Sequence, residues 1–179
     1  MKNFVIKFKK QLTMALIVLV VIGLDQLTKL LVVKNLAYIE QNQPINLIKH
    51  LINLTYLENR GAAFGMFSNQ RWIFMVISVI AIIGIGVYLF GFCKEGWIFQ
   101  TGLAFIIGGG IGNMIDRIAY GYVVDMIELD FMEFAIFNVA DSFVCVGAGL
   151  VILMLIIEIV RDAKKNDAVK AEEDADEDN

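Results

Sequence analysis

The length of its apolar runs limits this chain's fold more than any other feature. Residues 12–33, 72–92, 97–115 and 138–160 each approach the roughly 20 residues that a helix needs to cross a bilayer. The second and third runs carry no charge, and both open on a tryptophan, Trp72 and Trp97, as interfacial anchoring predicts. With 58% hydrophobic and 19% charged residues over 179 positions, the chain lies outside the ~45–50% and ~25% of a soluble domain. The first run follows a lysine-rich segment, MKNFVIKFKK, and so looks like a secretory signal, but no small-residue cleavage site comes after it. It is expected to stay as a first transmembrane helix. The expected fold class is all-α integral membrane, with four transmembrane helices in one domain over residues 1–165.

Between the third and fourth runs lies Gly112–Ser142, which holds Asp116, Arg117, Asp125, Glu128, Asp130, Glu133 and Asp141. Charges kept against a membrane span are costly and point to function. Asp25 and Lys29, four apart on the first helix, form an i,i+4 pair that must face other helices, either supporting a site or joining it. Residues 35–71 form the longest polar segment before the tail. There Ile52, Leu54 and Tyr56 alternate with Asn53, Thr55 and Leu57, the period of a strand, and a small β-rich element is expected.

That segment ends in ENRGAAFG (58–65). Asn59 and Arg60 are candidates to reach a substrate, while Gly61, Ala62, Ala63 and Gly65 either make a tight turn or leave room for a substrate backbone. In the third helix Gly108 and Gly112 have the small-xxx-small spacing of close helix contact. Asn138 is placed to cap the fourth helix. Cys93 and Cys145 lack metal or redox spacing and are expected as apolar packing residues; His50 is expected at the surface. From Arg161 onward eight acids and four bases account for the net charge of −4, and residues 166–179 are expected to form a disordered acidic tail.

If there are four spans, the N-terminal lysines, Lys94 and the Arg161–Lys165 cluster share one side, which the positive-inside rule makes the cytoplasm. Both termini are then cytoplasmic, and the acid-bearing stretch meets Asn59 and Arg60 at the outer face. Two carboxylates brought together in a low-dielectric site cannot both ionise cheaply, so one keeps a proton. The ionised member can activate water while the other protonates a carbonyl or leaving amine. This chemistry needs neither metal nor cofactor. Asp125 in GYVVD, on the expected loop between the third and fourth helices, and Asp141 in FNVAD, at the start of the fourth, are the acids expected to perform it, with solvation and helix capping as the plain alternatives. Glu128, Asp130 and Glu133 are expected to be solvated. A proton-coupled carrier would want acids near the midplane and internal repeats, and a metallopeptidase would want His and Cys ligand spacings. The sequence offers neither, and a purely structural role leaves the polar cluster unexplained.

The motifs DQLTK (25–29), ENRGAAFG (58–65), GNMIDR (112–117), GYVVD (121–125) and FNVADS (137–142), in this order, resemble those of the lipoprotein signal peptidases, or type II signal peptidases, of bacterial inner membranes. Two departures are Met126, where an aromatic is usual, and the lack of a proline before FNVADS. The resemblance implies a four-helix membrane aspartic endopeptidase of the cytoplasmic (inner) membrane with an extracytoplasmic β-rich element. Such enzymes remove the signal peptide of a prolipoprotein by cutting N-terminal to a cysteine that carries diacylglycerol. Asp125 and Asp141 fall on the family's catalytic pair. Asn59, Asn113, Arg117 and Asn138 fall on positions lining its site, and Arg60, Gly61 and Ala140 are expected to bind substrate beside them. Asp25 and Asp116 fall on supporting positions, with Lys29 beside Asp25. The expected partners are lipidated prolipoproteins and membrane lipid, with no nucleic acid, no metal, no cofactor and a monomeric enzyme.

Overall fold

The computed structural model describes residues 2–37, 44–61 and 71–177. In chain order it comprises α1 (Lys2–Leu36), β1 (Ile45–Ile48), β2 (Ile52–Asn59), α2 (Arg71–Val87), α3 (Trp97–Ala119), β3 (Val123–Leu129) and α4 (Val139–Glu177). Four stretches are long and apolar enough to cross a membrane: Phe8–Leu36, Met75–Phe92, Trp97–Ala119 and Val139–Ala168. The protein is a multi-pass membrane protein with a small sheet. Ala62, Ala63 and Gly65 lie outside the described residues, as do 38–43 within the expected β-rich segment.

The third helix is the axis of the bundle, because its glycines let neighbours approach on three sides. A side chain at Gly108 would meet Val21 of α1 at 2.7 Å, and one at Gly112 would meet the Asp25 carboxylate at 2.5 Å. One at Gly109 would collide with the Ala140 carbonyl of α4, and Gly110 faces Ile82 of α2 at 3.1 Å. Without a hydrophobic drive between helices in lipid, such close approach is a main source of association. The expected Gly108–Gly112 contact is therefore with α1.

Beyond Val87 the second span continues as a π-helical turn, Tyr88–Phe92. The Gln11 amide of α1 donates to the Phe90 carbonyl within that turn. A π-turn displaces the usual i→i−4 ladder, and a neighbouring side chain of this kind satisfies a carbonyl left over.

The three strands form one antiparallel sheet in the order β1-β2-β3. Leu57 stands opposite Asp125 and Asn59 opposite Val123, with a register irregularity between Leu54 and Leu57. Val124 and Met126 of β3 bury against Val32 and Leu36 of α1, which seats the sheet on the end of that helix. Met126, where an aromatic is usual, is thus a core residue and does not face the cleft described below.

Three expectations change. Val123–Leu129 is a strand where a loop is expected. Its VVDMIEL sequence is rich in β-branched residues, and Gly121, at φ 80°, makes the turn that lets the chain leave α3 and pair with β2. The helix expected over 138–160 continues to Glu177, through residues expected to be disordered from 166. No Gly or Pro interrupts the sequence after Gly149, and Ala, Lys and Glu dominate its end. Cys145, expected as a packing residue, is exposed, while the Cys93 thiol donates to Glu95 at 2.9 Å.

Candidate active site

Four elements bring their polar residues to one end of the bundle. Asp125 sits at the middle of β3, and the strand is tied to α3 one residue earlier, where the Val124 N–H donates to Asp116 Oδ2 at 3.1 Å. Asp141 lies in the first turn of α4. The start of α4 is fixed in turn by Phe137, which exchanges backbone hydrogen bonds with Ile127 at 2.8 and 3.1 Å. Two residues distant in sequence are thereby indexed to one another through backbone hydrogen bonds.

Asn138 is the hub. Fully buried, it donates from Nδ2 to Asp125 Oδ1 at 2.7 Å and to Asn113 Oδ1 at 3.0 Å. Its backbone N–H donates to Asp141 Oδ2 at 3.2 Å, and its Oδ1 accepts from the Asp141 N–H at 2.9 Å. That reciprocal pair is a capping box, in which two of the free N–H groups of the helix start are satisfied at once. So Asn138 does cap α4 as expected, and Asp141 caps it too.

Each acid is held by amide donors. Asp125 Oδ2 accepts from Asn59 Nδ2 at 2.8 Å, and Asp141 Oδ1 accepts from Asn113 Nδ2 at 2.7 Å. Burial lifts the Asp125 carboxyl from 3.8 to about 6; the charge of nearby Asp141 adds to the rise, while the Asn59 and Asn138 amides and the Lys29 charge oppose it. Asp141 also has the positive end of α4 beside it.

Behind the pair lies a second cluster, sealed from solvent. The Lys29 ammonium reaches Asp25 at 2.8 Å and Asp116 at 2.9 Å, and donates to Asn113 Oδ1 at 2.9 Å. Gln26 bonds Asp116 Oδ1 at 2.9 Å and the Gly112 carbonyl at 3.1 Å. Asp25 Oδ1 accepts the Ala140 N–H at 3.0 Å. One carboxylate on α1 thus fixes the first turn of α4. Gln26 was not singled out from the sequence, although a polar residue next to Asp25 inside a span is the signal that could have found it.

A cleft of about 950 Å³ opens in front of the acids, lined on its polar side by Asn59, Arg60, Asn113, Arg117, Asp125 and Asp141. Gly61 and Cys145 border it as well, and Phe134–Phe137 form an apolar wall of which only Phe137 belongs to a motif noted above. Arg117 bonds the Asn113 carbonyl at 3.4 Å. Arg60 is engaged by Glu58 at 2.7 Å and stacks over the Tyr122 ring at 5.5 Å. The Arg60 guanidinium beside Glu58 holds that carboxyl below its ordinary value.

Two expected substrate-binding residues do not reach the cleft. Ala140 is fully buried against α3, where its carbonyl faces Gly109, and Asn138 is fully buried between the two acids. The amide of Asn113 is engaged by Lys29, Asn138 and Asp141. Nor are the loop acids free of contacts, since Asn53 Nδ2 donates to Asp130 at 3.1 Å and to Glu128 at 3.4 Å across the strands.

The bundle and cleft define a class: a polytopic membrane protein with two carboxylates converging on one apolar-walled cleft, the arrangement an aspartic peptidase needs. The sequence profile of the signal peptidase (SPase) II family matches residues 17–157. The lipoprotein signal peptidase of Streptococcus pneumoniae is 43% identical over 154 residues, which cover 84% of this chain and 96% of that protein. That of Brevibacillus brevis is 41% identical over 151 residues, or 84% and 97% of the two chains. A bacterial membrane enzyme solved by the in meso method at 2.3 Å resolution superposes with a TM-score of 0.74 at 30% identity, covering 82% of this chain and 89% of that one. The chain belongs to the signal peptidase II family.

Proposed function

We propose that Asp125 and Asp141 are the catalytic pair with which this signal peptidase II cleaves a prolipoprotein. As a member of that family it is an aspartic peptidase that removes signal peptides in lipoprotein maturation. The observation that carries the assignment of the pair is Asn138, which touches both carboxylates and holds them at one cleft.

The chemistry follows from the unequal surroundings of the two acids. Asp125, buried and with its pKa raised, keeps a proton. Asp141, at a helix start with two N–H donors, draws a proton from water as that water attacks the scissile carbonyl. Asp125 donates to the carbonyl oxygen, and a tetrahedral diol forms. Return of a proton to the leaving nitrogen breaks the C–N bond and restores the pair. Arg117, on the cleft wall, orients the peptide carbonyl, and the Phe134–Phe137 wall receives apolar parts of the substrate.

The substrate is a diacylglyceryl-modified prolipoprotein that enters from the lipid, cut N-terminal to the modified cysteine. The enzyme acts as a monomer, a reading supported by both acids and the amides that hold them coming from one chain. Lys10 and Glu95 meet at the end of the bundle away from the acids, the end rich in basic residues. This arrangement supports cytoplasmic termini and a cleft that opens at the outer face. A C-terminal reporter accessible only from outside the cell would overturn that orientation. The pair itself is tested by incubating Asp125→Asn and Asp141→Asn enzymes with the lipidated substrate. Both are expected to be folded and inactive, and normal processing by either one sinks the assignment.

A further inference from the structure

We propose that Lys29 is a positioning residue for catalysis: its ammonium fixes which way the Asn113 carboxamide points, and so decides whether Asp141 Oδ1 meets a donor. The proposal rests on the reading of Asp141 as a catalytic acid. A carboxamide has two ends of almost equal size, one that only donates and one that only accepts. With Nδ2 toward Asp141, Asn113 gives that carboxylate a 2.7 Å hydrogen bond. Turned over, it would set a carbonyl oxygen against the carboxylate and an NH₂ group against an ammonium, and both contacts are repulsive.

An ammonium carries three N–H bonds and no acceptor. All three of those on Lys29 have partners: Asp25 at 2.8 Å, Asp116 at 2.9 Å and Asn113 Oδ1 at 2.9 Å. The two carboxylates hold the ammonium in place, and the third bond reads the amide. Asn138 also donates to Asn113 Oδ1, but it is committed elsewhere by its bonds to Asp125 and to the Asp141 N–H. Lys29 is therefore the charged donor behind Asn113, and it stands outside the cleft lining.

The ammonium has a second effect. The charged groups gathered here are Asp25 and Lys29 on α1, Asp116 and Arg117 on α3, Asp125 on β3 and Asp141 on α4. Lys29 favours ionisation of Asp125, opposing burial there. Removing that charge makes Asp125 hold its proton to higher pH.

Lys29→Met is expected to lower kcat by about 10- to 100-fold, the worth of one hydrogen bond to a charged group. KM is expected to stay within about twofold because Lys29 does not line the cleft. The alkaline limb of the rate–pH profile moves to higher pH. Since the single change leaves Asp25 and Asp116 without a counter-charge, the same measurements are made on Asp25→Asn/Lys29→Met/Asp116→Asn, where the cluster is neutral. The same kcat loss with KM unchanged in this folded variant supports the proposal. Wild-type kcat in either folded variant overturns it. Failure of the neutral variant to fold also overturns it, because the cluster would then be needed for structure alone. Asp141→Asn assayed in parallel separates the two readings. If it cleaves normally, the catalytic pair itself is wrong. If it is inactive while the Lys29 variants are unimpaired, only the role of Lys29 is lost.

Discussion

Asp25 and Asp116 flank an ammonium at 2.8 and 2.9 Å, within a cluster closed to water. Asp125 and Asp141, one amide away through Asn113 and Asn138, border the cleft, and among the described residues neither forms a salt bridge. The four side chains are of one type and share one hydrogen-bond network. They differ in what stands opposite. Where an ammonium is present the carboxylates are fixed anions that brace helices; where only amide donors stand, one acid can keep a proton and exchange it. The comparison teaches that reactivity in this network depends on keeping the ammonium one amide away from the reacting acids.

The largest effect that tests this contrast is loss of cleavage. Asp125→Asn or Asp141→Asn is expected to reduce turnover by ~10³-fold or more in a prolipoprotein processing assay, general acid–base catalysis being worth at least that much when both partners act. Asp116→Ala should act on stability first. It strips a counter-ion from buried Lys29 and the acceptor from the Val124 N–H. Breaking a buried pair costs about 3–5 kcal/mol, measurable by denaturant or thermal unfolding in detergent.

A pH series probes the other group. Asp125 binds its proton more tightly folded than unfolded. Its contribution to stability is therefore complete below 3.8 and is lost as pH rises through about 6. The rise from 3.8 to about 6 amounts to ~3 kcal/mol, and activity is expected to decline over the same alkaline limb as the pair loses its shared proton. Asn59→Ala removes a donor that favours the ionised form. It should lower kcat about tenfold and move that limb to higher pH. An unmoved limb would show that Asn59 does not bear on the titration. Smallest of all is Glu133→Gln, an exposed acid in neither group, expected to leave cleavage unchanged and stability within ~0.5 kcal/mol.

Much of this was legible in the sequence because hydropathy is a local property. Four apolar runs gave four spans, and the glycine spacing in α3 gave a real helix contact. The acids were found because charge against a span is rare, and the motif order tied them to a family. Strand β3 was not found, since its pairing with β2 depends on a partner more than 60 residues away and its seven residues abut a helix end. Ala140 and Asn138 were assigned to substrate because they lie in a motif with Asp141. A motif records proximity in sequence, and only the packing of Ala140 on Gly109 reveals that this face of α4 is turned inward. Gln26 and the Phe134–Phe137 wall escaped notice because neither is chemically distinctive until the chain has folded around it.

Lys29 and Asp25 are neighbours on one helix, and this bears on how the protein is made. The first span leaves the ribosome long before the third, so it must enter lipid without Asp116 or Asn113 to receive its charges. An ammonium already matched by a carboxylate one turn away travels as a near-neutral unit, which lowers the cost of that early insertion. When α3 arrives, the missing side chain at Gly112 leaves the pair room against its backbone, and Asp116 completes the cluster. The same pair that braces the finished enzyme thus serves first as its own escort through the membrane.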